Sequence, residues 1–363
     1  MARTVMVMAG GTGGHIYPGL AVAGELAQQG WKVVWLGGHH GMENRIVPPF
    51  GYDMARLSIG GLRGKGLLRK VVFIGILARA MVQALRAIRH FKPDVVLGMG
   101  GYPSFPGGLV SALLRIPLVI HEQNAVAGLS NRVLACLSRK VLTGFPSAFT
   151  HPYDAPLLCK NKPAQWLGNP VRKEISAVAN IDKTARSGPL RLLVVGGSLG
   201  AAVLNAVVPR ALARIPAAVR PEVIHQAGAP HVESLRALYA EVGVVADVRD
   251  FITDMADMYG WCDVAITRAG ALTLAELAAA GVPAFLVPYP HAVDDHQTLN
   301  AQFLVMQGAA KLLPQPELGD KMLADHLMVL DRHELHHMAQ RARQVAKPDA
   351  TAEVARQCRE AAK

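Results

Sequence analysis

Twice in this chain an apolar, β-rich run passes directly into a cluster of glycines and then into a stretch of helical length. The first is Thr4–Ala9 entering Gly10-Gly-Thr-Gly-Gly14, and the second is Leu190–Val195 entering Gly196-Gly-Ser-Leu-Gly200. Neither run shows the polar alternation of a half-exposed strand. They read as strands buried on both faces, which requires a parallel sheet with helices on either side. Lys32–Leu36, Asp94–Gly98, Pro117–Ile120 and Lys140–Thr143 repeat the pattern in the first half, as do Glu222–His225, Val244–Val248, Asp263–Thr267 and Pro283–Val287 in the second. Segments of helical length separate them, Ala271–Ala280 among them, as βαβ units require.

The 363 residues exceed the ~250 to 300 at which a single core stops growing. The expected fold is therefore α/β, with two doubly wound, Rossmann-like domains divided near Gly168–Arg172, where a stretch rich in proline and turn residues ends. Ligands of such sheets sit beyond the carboxyl ends of the strands, so two such domains facing a central cleft would line it with both glycine loops.

Lysine and arginine outnumber the acids 38 to 27, a net charge of +11 that favours an anionic partner: nucleic acid, acidic lipid or a phosphorylated substrate. Cys136, Cys159, Cys262 and Cys358 form neither CxxC pairs nor a dense framework, which predicts a reducing compartment and no structural zinc. The first residues lack the long apolar region of a secretory signal. The longest apolar runs, such as Val71–Ala78, fall short of the ~18 residues of a membrane span, so any membrane contact is expected to be peripheral.

A glycine loop between strand and helix lets the backbone approach a phosphate, and each helix N-terminus offers an anion roughly 0.3 to 2 kcal/mol. Glycine also serves tight turns and close packing, so the loops alone leave both readings open. Gly10-Gly-Thr-Gly-Gly-His15 does not fit G-x-G-x-x-G, and Leu36-Gly-Gly-His-His40 lacks a ribose-binding acid, which argues against a nicotinamide dinucleotide. Gly64-Lys65 is followed by glycine, which excludes a Walker A loop.

His15 sits where the first loop turns into a helix. Imidazole titrates near neutrality and suits a general base, although a histidine there could simply cap the turn. His121-Glu-Gln-Asn124 leaves the strand at Pro117–Ile120 with four polar side chains, for chemistry or for loop capping. Arg268-Ala-Gly-Ala-Leu-Thr-Leu-Ala-Glu276 opens a helix whose Glu276 could chelate a ribose diol or answer the helix dipole. His291–Gln297 is dense in hydrogen-bonding groups that suit a sugar. His333-Glu-Leu-His-His337 matches H-E-x-x-H formally, but its polar helix lacks a third ligand. The stretch Leu67–Phe91 mixes large apolar residues with arginines, and Arg79, Gln83, Arg86 and His90 share one helical stripe. It is either a core helix with a solvated basic face or a membrane-surface helix.

Taken together, Gly10–Leu20, Gly60-Gly-Leu-Arg-Gly-Lys-Gly66, Gly98-Met-Gly-Gly-Tyr102, His121–Asn124, Gly168-Asn-Pro-Val-Arg172, Gly196–Ala201 and Arg268–Glu276 resemble glycosyltransferase family 28. The resemblance is to its bacterial members that convert lipid I to lipid II in peptidoglycan synthesis. It covers nearly the whole chain in order. It implies a GT-B fold, with an acceptor and membrane-binding domain over residues 1–168, a UDP-N-acetylglucosamine domain over 169–347, and a last helix, 348–363, that packs back on the first domain.

By motif, the resemblance implies donor contacts at Thr12, Gly13, Gly14, Asn124, Arg172, Ser198, Ile252, Ala271, Leu272, Thr273, Leu274, Ala275, Glu276 and Gln297. It places Arg63, Lys65, Arg69, Lys70, Arg79, Tyr102 and Lys140 on the membrane and acceptor side. It implies inversion by single displacement, with His15 as base, Glu122 as second candidate, and neither metal nor cofactor. Its partners would be UDP-N-acetylglucosamine, lipid I, the anionic surface at the cytoplasmic face of the inner membrane, and proteins of wall synthesis and division. Transfer to diacylglycerol or another lipid, a nucleotide-dependent oxidoreductase and a nucleic-acid-binding module are the alternatives. The last lacks an aromatic-interleaved basic platform.

Overall fold

The structure, a computed structural model, describes residues 2–59, 67–150, 163–197 and 200–363, without the side chains of 67–73 and 293. Arg63, Lys65, Cys159 and Ser198 lie outside the described residues, as do the side chains of Arg69 and Lys70. The chain divides into two compact units, Met1–Pro170 with Asp349–Lys363, and Val171–Pro348.

The first unit holds β1 (Thr4–Ala9), β2 (Lys32–Gly38), β3 (Asp53–Leu57), β4 (Val95–Gly100), β5 (Leu118–Glu122), β6 (Lys140–Thr143) and β7 (Gln165–Trp166). They form one sheet in the order β3-β2-β1-β4-β5-β6-β7, and every pairing is parallel. The unbroken apolar runs have a simple cause. Val5, Val7 and Ala9 enter one core with Ile16, Val22 and Leu26, while Met6 and Met8 enter another with Ala84, Ile88 and Val110 on the opposite face.

The second unit holds β8 (Arg191–Val195), β9 (Glu222–Gln226), β10 (Asp247–Arg249), β11 (Val264–Thr267), β12 (Ala284–Leu286) and β13 (Ala310–Leu312). Its order is β10-β9-β8-β11-β12-β13, again all parallel. In each sheet the strand order reverses beside the strand that feeds a glycine loop, β1 or β8. Each loop therefore lies at a topological switch point.

The sequence does not announce β3, β7 and β13, which are short, and β3 and β7 are edge strands carrying polar residues. The run Val244–Val248 begins too early. Gly243 takes a φ of +67° and the Val244 N–H bonds the Tyr239 carbonyl, closing the preceding helix, so pairing starts only at Asp247.

The final helix, Ala350–Ala361, buries Val354, Ala355, Cys358 and Ala361 in the first unit's core. Arg139 bonds the Ala361 carbonyl at 2.8 Å. Lys140 pairs with Glu360 at 2.6 Å and donates to Gln357. Lys140 thus anchors this helix. Among the described residues, Cys262 and Cys358 are free and buried.

Because Val354 fills the first unit's core, Val354→Ala should cost about 2 kcal/mol. Hydrogen exchange in the intact chain should quicken across β1, β2 and β4 and leave β8–β12 unchanged. Uniform loss of protection in both sheets would contradict that assignment.

Candidate active site

Gly11, at φ +90°, turns the chain out of β1, and Thr12 begins the helix Gly13–Gln28 without a side-chain cap. The loop is held from below by Glu43, which the sequence reading did not single out. Its buried carboxylate accepts from Gly11 N–H at 3.1 Å and Gly38 N–H at 2.7 Å, tying the ends of β1 and β2 together. The available signal was the surrounding glycines. A Cβ at Gly10, Gly37 or Gly41 would approach Glu43 to 2.7, 2.8 or 1.9 Å.

His15 lies in the first turn of that helix, against Gly100, where a Cβ would come within 2.8 Å of its Nδ1. Its Nδ1 is 2.9 Å from Gln123 Oε1, so the loops after β1 and β5 meet at this ring. His121 is buried, 2.9 Å from the Gly168 carbonyl through Nε2. Burial pushes its pKa down to about 4, outweighing the raising effects of the Gly168 bond and the Glu122 charge.

Glu122 is also buried, and its carboxylate accepts from Asn124 N–H, Asn124 Nδ2, Gly128 N–H and Asn131 Nδ2 at 2.8 to 3.2 Å. Four donors occupy a carboxylate's hydrogen-bonding sites, so Glu122 shapes the loop and leaves His15 as the stronger base candidate. Tyr102 is exposed beside Gly11.

In the second unit, Gly197 and Gly200 adopt φ of +88° and +75°, and a Cβ on Gly200 would lie 1.9 Å from the Ala227 carbonyl oxygen. Gln226, at the end of β9, donates to the Gly197 carbonyl at 2.8 Å and accepts from Ile252 N–H at 3.1 Å. The sequence reading included Ile252 but not the glutamine that orders it. The helix Ala271–Ala280 follows β11, with Gly270 at its start and no side-chain cap. Its N-terminus faces the carboxyl edge of the sheet, suiting an anion.

On that helix Glu276 is buried, accepts from Tyr259 Oη at 3.1 Å and pairs with Arg172 at 3.5 Å. Burial raises its pKa, while Arg172 and Tyr259 pull it back. Gln297 accepts from Tyr289 N–H at 2.9 Å, and Asp294 and Asp295 before it both take positive φ, 53° and 49°. The described residues thus gather Arg172 with Glu276, and Thr12, His15 and Asn124 around one sheet edge. Among them, no cluster of three or more His, Cys, Asp or Glu side chains could hold a metal ion. Glu334 of the H-E-x-x-H match pairs instead with Lys311 at 3.1 Å.

The helix Leu67–Phe91 turns Ala80, Ala84 and Ile88 inward and leaves Ile74, Val82, Arg79 and Arg86 exposed. Gln83 leaves the basic stripe to bond Ser58 N–H and Oγ. No helix among the described residues is long and apolar enough to cross a membrane.

Residues 5–143 match the Glycosyltransferase family 28 N-terminal domain, and residues 191–355 match the Glycosyltransferase family 28 C-terminal domain. The chain belongs to glycosyltransferase family 28. This family 28 member is 57% identical over 361 residues, 99% of each chain, to a Thiobacillus denitrificans protein. That relative is named UDP-N-acetylglucosamine--N-acetylmuramyl-(pentapeptide) pyrophosphoryl-undecaprenol N-acetylglucosamine transferase. A protein of the same name from Dechloromonas aromatica is 54% identical over 365 residues, the whole of both chains. The solved structure of Acinetobacter baumannii MurG, 39% identical, matches at a TM-score of 0.79 over 99% of each chain. The two doubly wound parallel sheets of this family 28 chain have the GT-B architecture.

The buried imidazole of His121 sets an acid limit. Its folded pKa, about 4, lies below the ordinary 6.5, so its stabilising contribution is whole above pH 6.5 and disappears as pH falls through 4. The difference amounts to about 3 kcal/mol. The Tm gap between wild type and His121→Gln should therefore narrow between pH 7.5 and 4.5, and a constant gap would contradict this.

Proposed function

We infer that this chain transfers N-acetylglucosamine from UDP-N-acetylglucosamine to the muramyl pentapeptide of lipid I, giving lipid II. The observation that carries the inference is the 57% identity, over 99% of both chains, to a transferase named for that donor and acceptor. Such a reaction needs a base for a sugar hydroxyl whose pKa is far above neutrality, and a positive environment for departing diphosphate.

His15 is the base we assign. As the C4 hydroxyl oxygen bonds to the anomeric carbon, its proton passes to His15, and the electron pair of the broken C–O bond leaves on UDP with inversion. Arg172, Ser198 and the N-terminus of Ala271–Ala280 receive the diphosphate charge, and Glu276 holds the ribose diol. Thr12 to Gly14, Asn124, Ile252 and Gln297 complete the donor contacts. The acceptor is assigned to the first unit, and the membrane-facing surface to the helix Leu67–Phe91. The exposed Ile74 and Val82 beside Arg79 and Arg86 support docking on an anionic cytoplasmic leaflet, where each cation contributes about 1 kcal/mol.

Transfer of labelled N-acetylglucosamine to a lipid I analogue tests the assignment. His15→Ala should lower kcat by about 10² to 10⁴ with little change in donor KM. Glu276→Ala should mainly raise that KM, and activity should persist in EDTA. Unchanged turnover in His15→Ala would remove the base, and loss on chelation would refute metal independence. Separately, Ile74→Asp with Arg79→Glu should weaken sedimentation with vesicles containing phosphatidylglycerol while preserving the fold. Equal binding to neutral and anionic vesicles by the wild type would contradict the docking face.

A further inference from the structure

Three side chains and one carbonyl form a single run of hydrogen bonds inside the first unit. The Gly168 carbonyl lies 2.9 Å from His121 Nε2, His121 Nδ1 lies 3.2 Å from Gln123 Nε2, and Gln123 Oε1 lies 2.9 Å from His15 Nδ1. Donor and acceptor chemistry leaves one arrangement. A carbonyl only accepts, so His121 carries its hydrogen on Nε2.

His121 is fully buried, and with its pKa pushed down to about 4 it holds one ring hydrogen at neutral pH, leaving Nδ1 bare. A bare nitrogen also only accepts, so the Gln123 atom facing it must be the amide nitrogen. That same nitrogen lies 3.1 Å from the His121 backbone carbonyl, a second group that can only accept. The amide oxygen is thereby turned to His15, whose Nδ1 must supply the hydrogen.

We propose that Gly168, His121 and Gln123 form a tautomer relay that locks His15 in its Nδ1–H form, so that the lone pair at Nε2 is the atom offered to the acceptor hydroxyl. The proposal rests on the reading of His15 as base and specifies how the fold prepares it. An unconstrained imidazole favours hydrogen on Nε2, which would turn a donor toward the hydroxyl and leave nothing to take its proton. With the relay, the proton moves to Nε2 in the transfer step, and Gln123 Oε1 accepts from the resulting imidazolium.

Gln123 and His121 are positioning residues, since both are buried. Their backbones are fixed in turn by Asn169, which donates to the Gln123 carbonyl at 3.0 Å, and by Asn131, 3.4 Å from the His121 carbonyl. Glu122 is the charged group facing His121, and its carboxylate is held by the four donors described above. Gly100 leaves the space in which the His15 ring lies.

The test is nitrogen-15 NMR of the full-length enzyme labelled at histidine, with the His15 signals assigned by their loss in His15→Gln. Long-range proton–nitrogen correlations at pH 8 report the tautomer directly. Wild type should show His15 as Nδ1–H. Gln123→Leu should move it toward Nε2–H and lower kcat about a hundredfold at unchanged KM for both substrates. A wild-type His15 found as Nε2–H overturns the relay, with no variant required to fold. So does a Gln123→Leu spectrum identical to wild type. If the spectra are as expected but His15→Ala turns over normally, the relay stands and the base assignment fails.

Discussion

Buried hydrogen-bonding side chains at the carboxyl ends of parallel strands hold this protein's loops in place. Glu43 joins the loops after β1 and β2, Glu122 shapes the loop after β5, and Gln226 ties the second glycine loop to Ile252. Each sits where strand pairing has ended and backbone groups would otherwise lack partners. Glycines at the same places let the chain approach these groups closely, as Gly41 does Glu43. The consequence is a pair of rigid sheet edges whose helix N-termini and ring nitrogens are oriented before any substrate arrives, the condition for electrostatic preorganisation.

That arrangement explains which parts were legible in the sequence. Strands buried on both faces have to be continuous runs of apolar residues, so β1, β6 and β8 appear almost as the folded protein draws them. The helix Ala271–Ala280 is equally plain, because Gly270 and Gly281 bracket a stretch in which only Thr273 and Glu276 are polar. The edge strands were not, since Asp53–Leu57 and Gln165–Trp166 carry polar residues and need no second buried face.

The site was legible in its motifs but not in its supports. His15, Glu276 and Ile252 stand in recognisable segments, whereas Gln226 and Tyr259 act on residues distant in sequence and carry no local pattern. Gln123 belongs to a visible motif, yet its partner His15 is 108 residues away. Lys140 is alike: its ammonium meets Glu360 on a helix from the far end of the chain. Only folding determines which charge a cation meets.

The central claim is that preformed backbone and side-chain groups at the carboxyl edge of the second sheet receive the nucleotide. Hydrogen exchange of the whole chain, with and without UDP, tests it most directly. Added protection is expected in peptides spanning Ile252 and Ala271–Glu276, with the amino-terminal edge of the same sheet unchanged. Protection confined to that opposite edge, or absent from both peptides at saturating nucleotide, would contradict it.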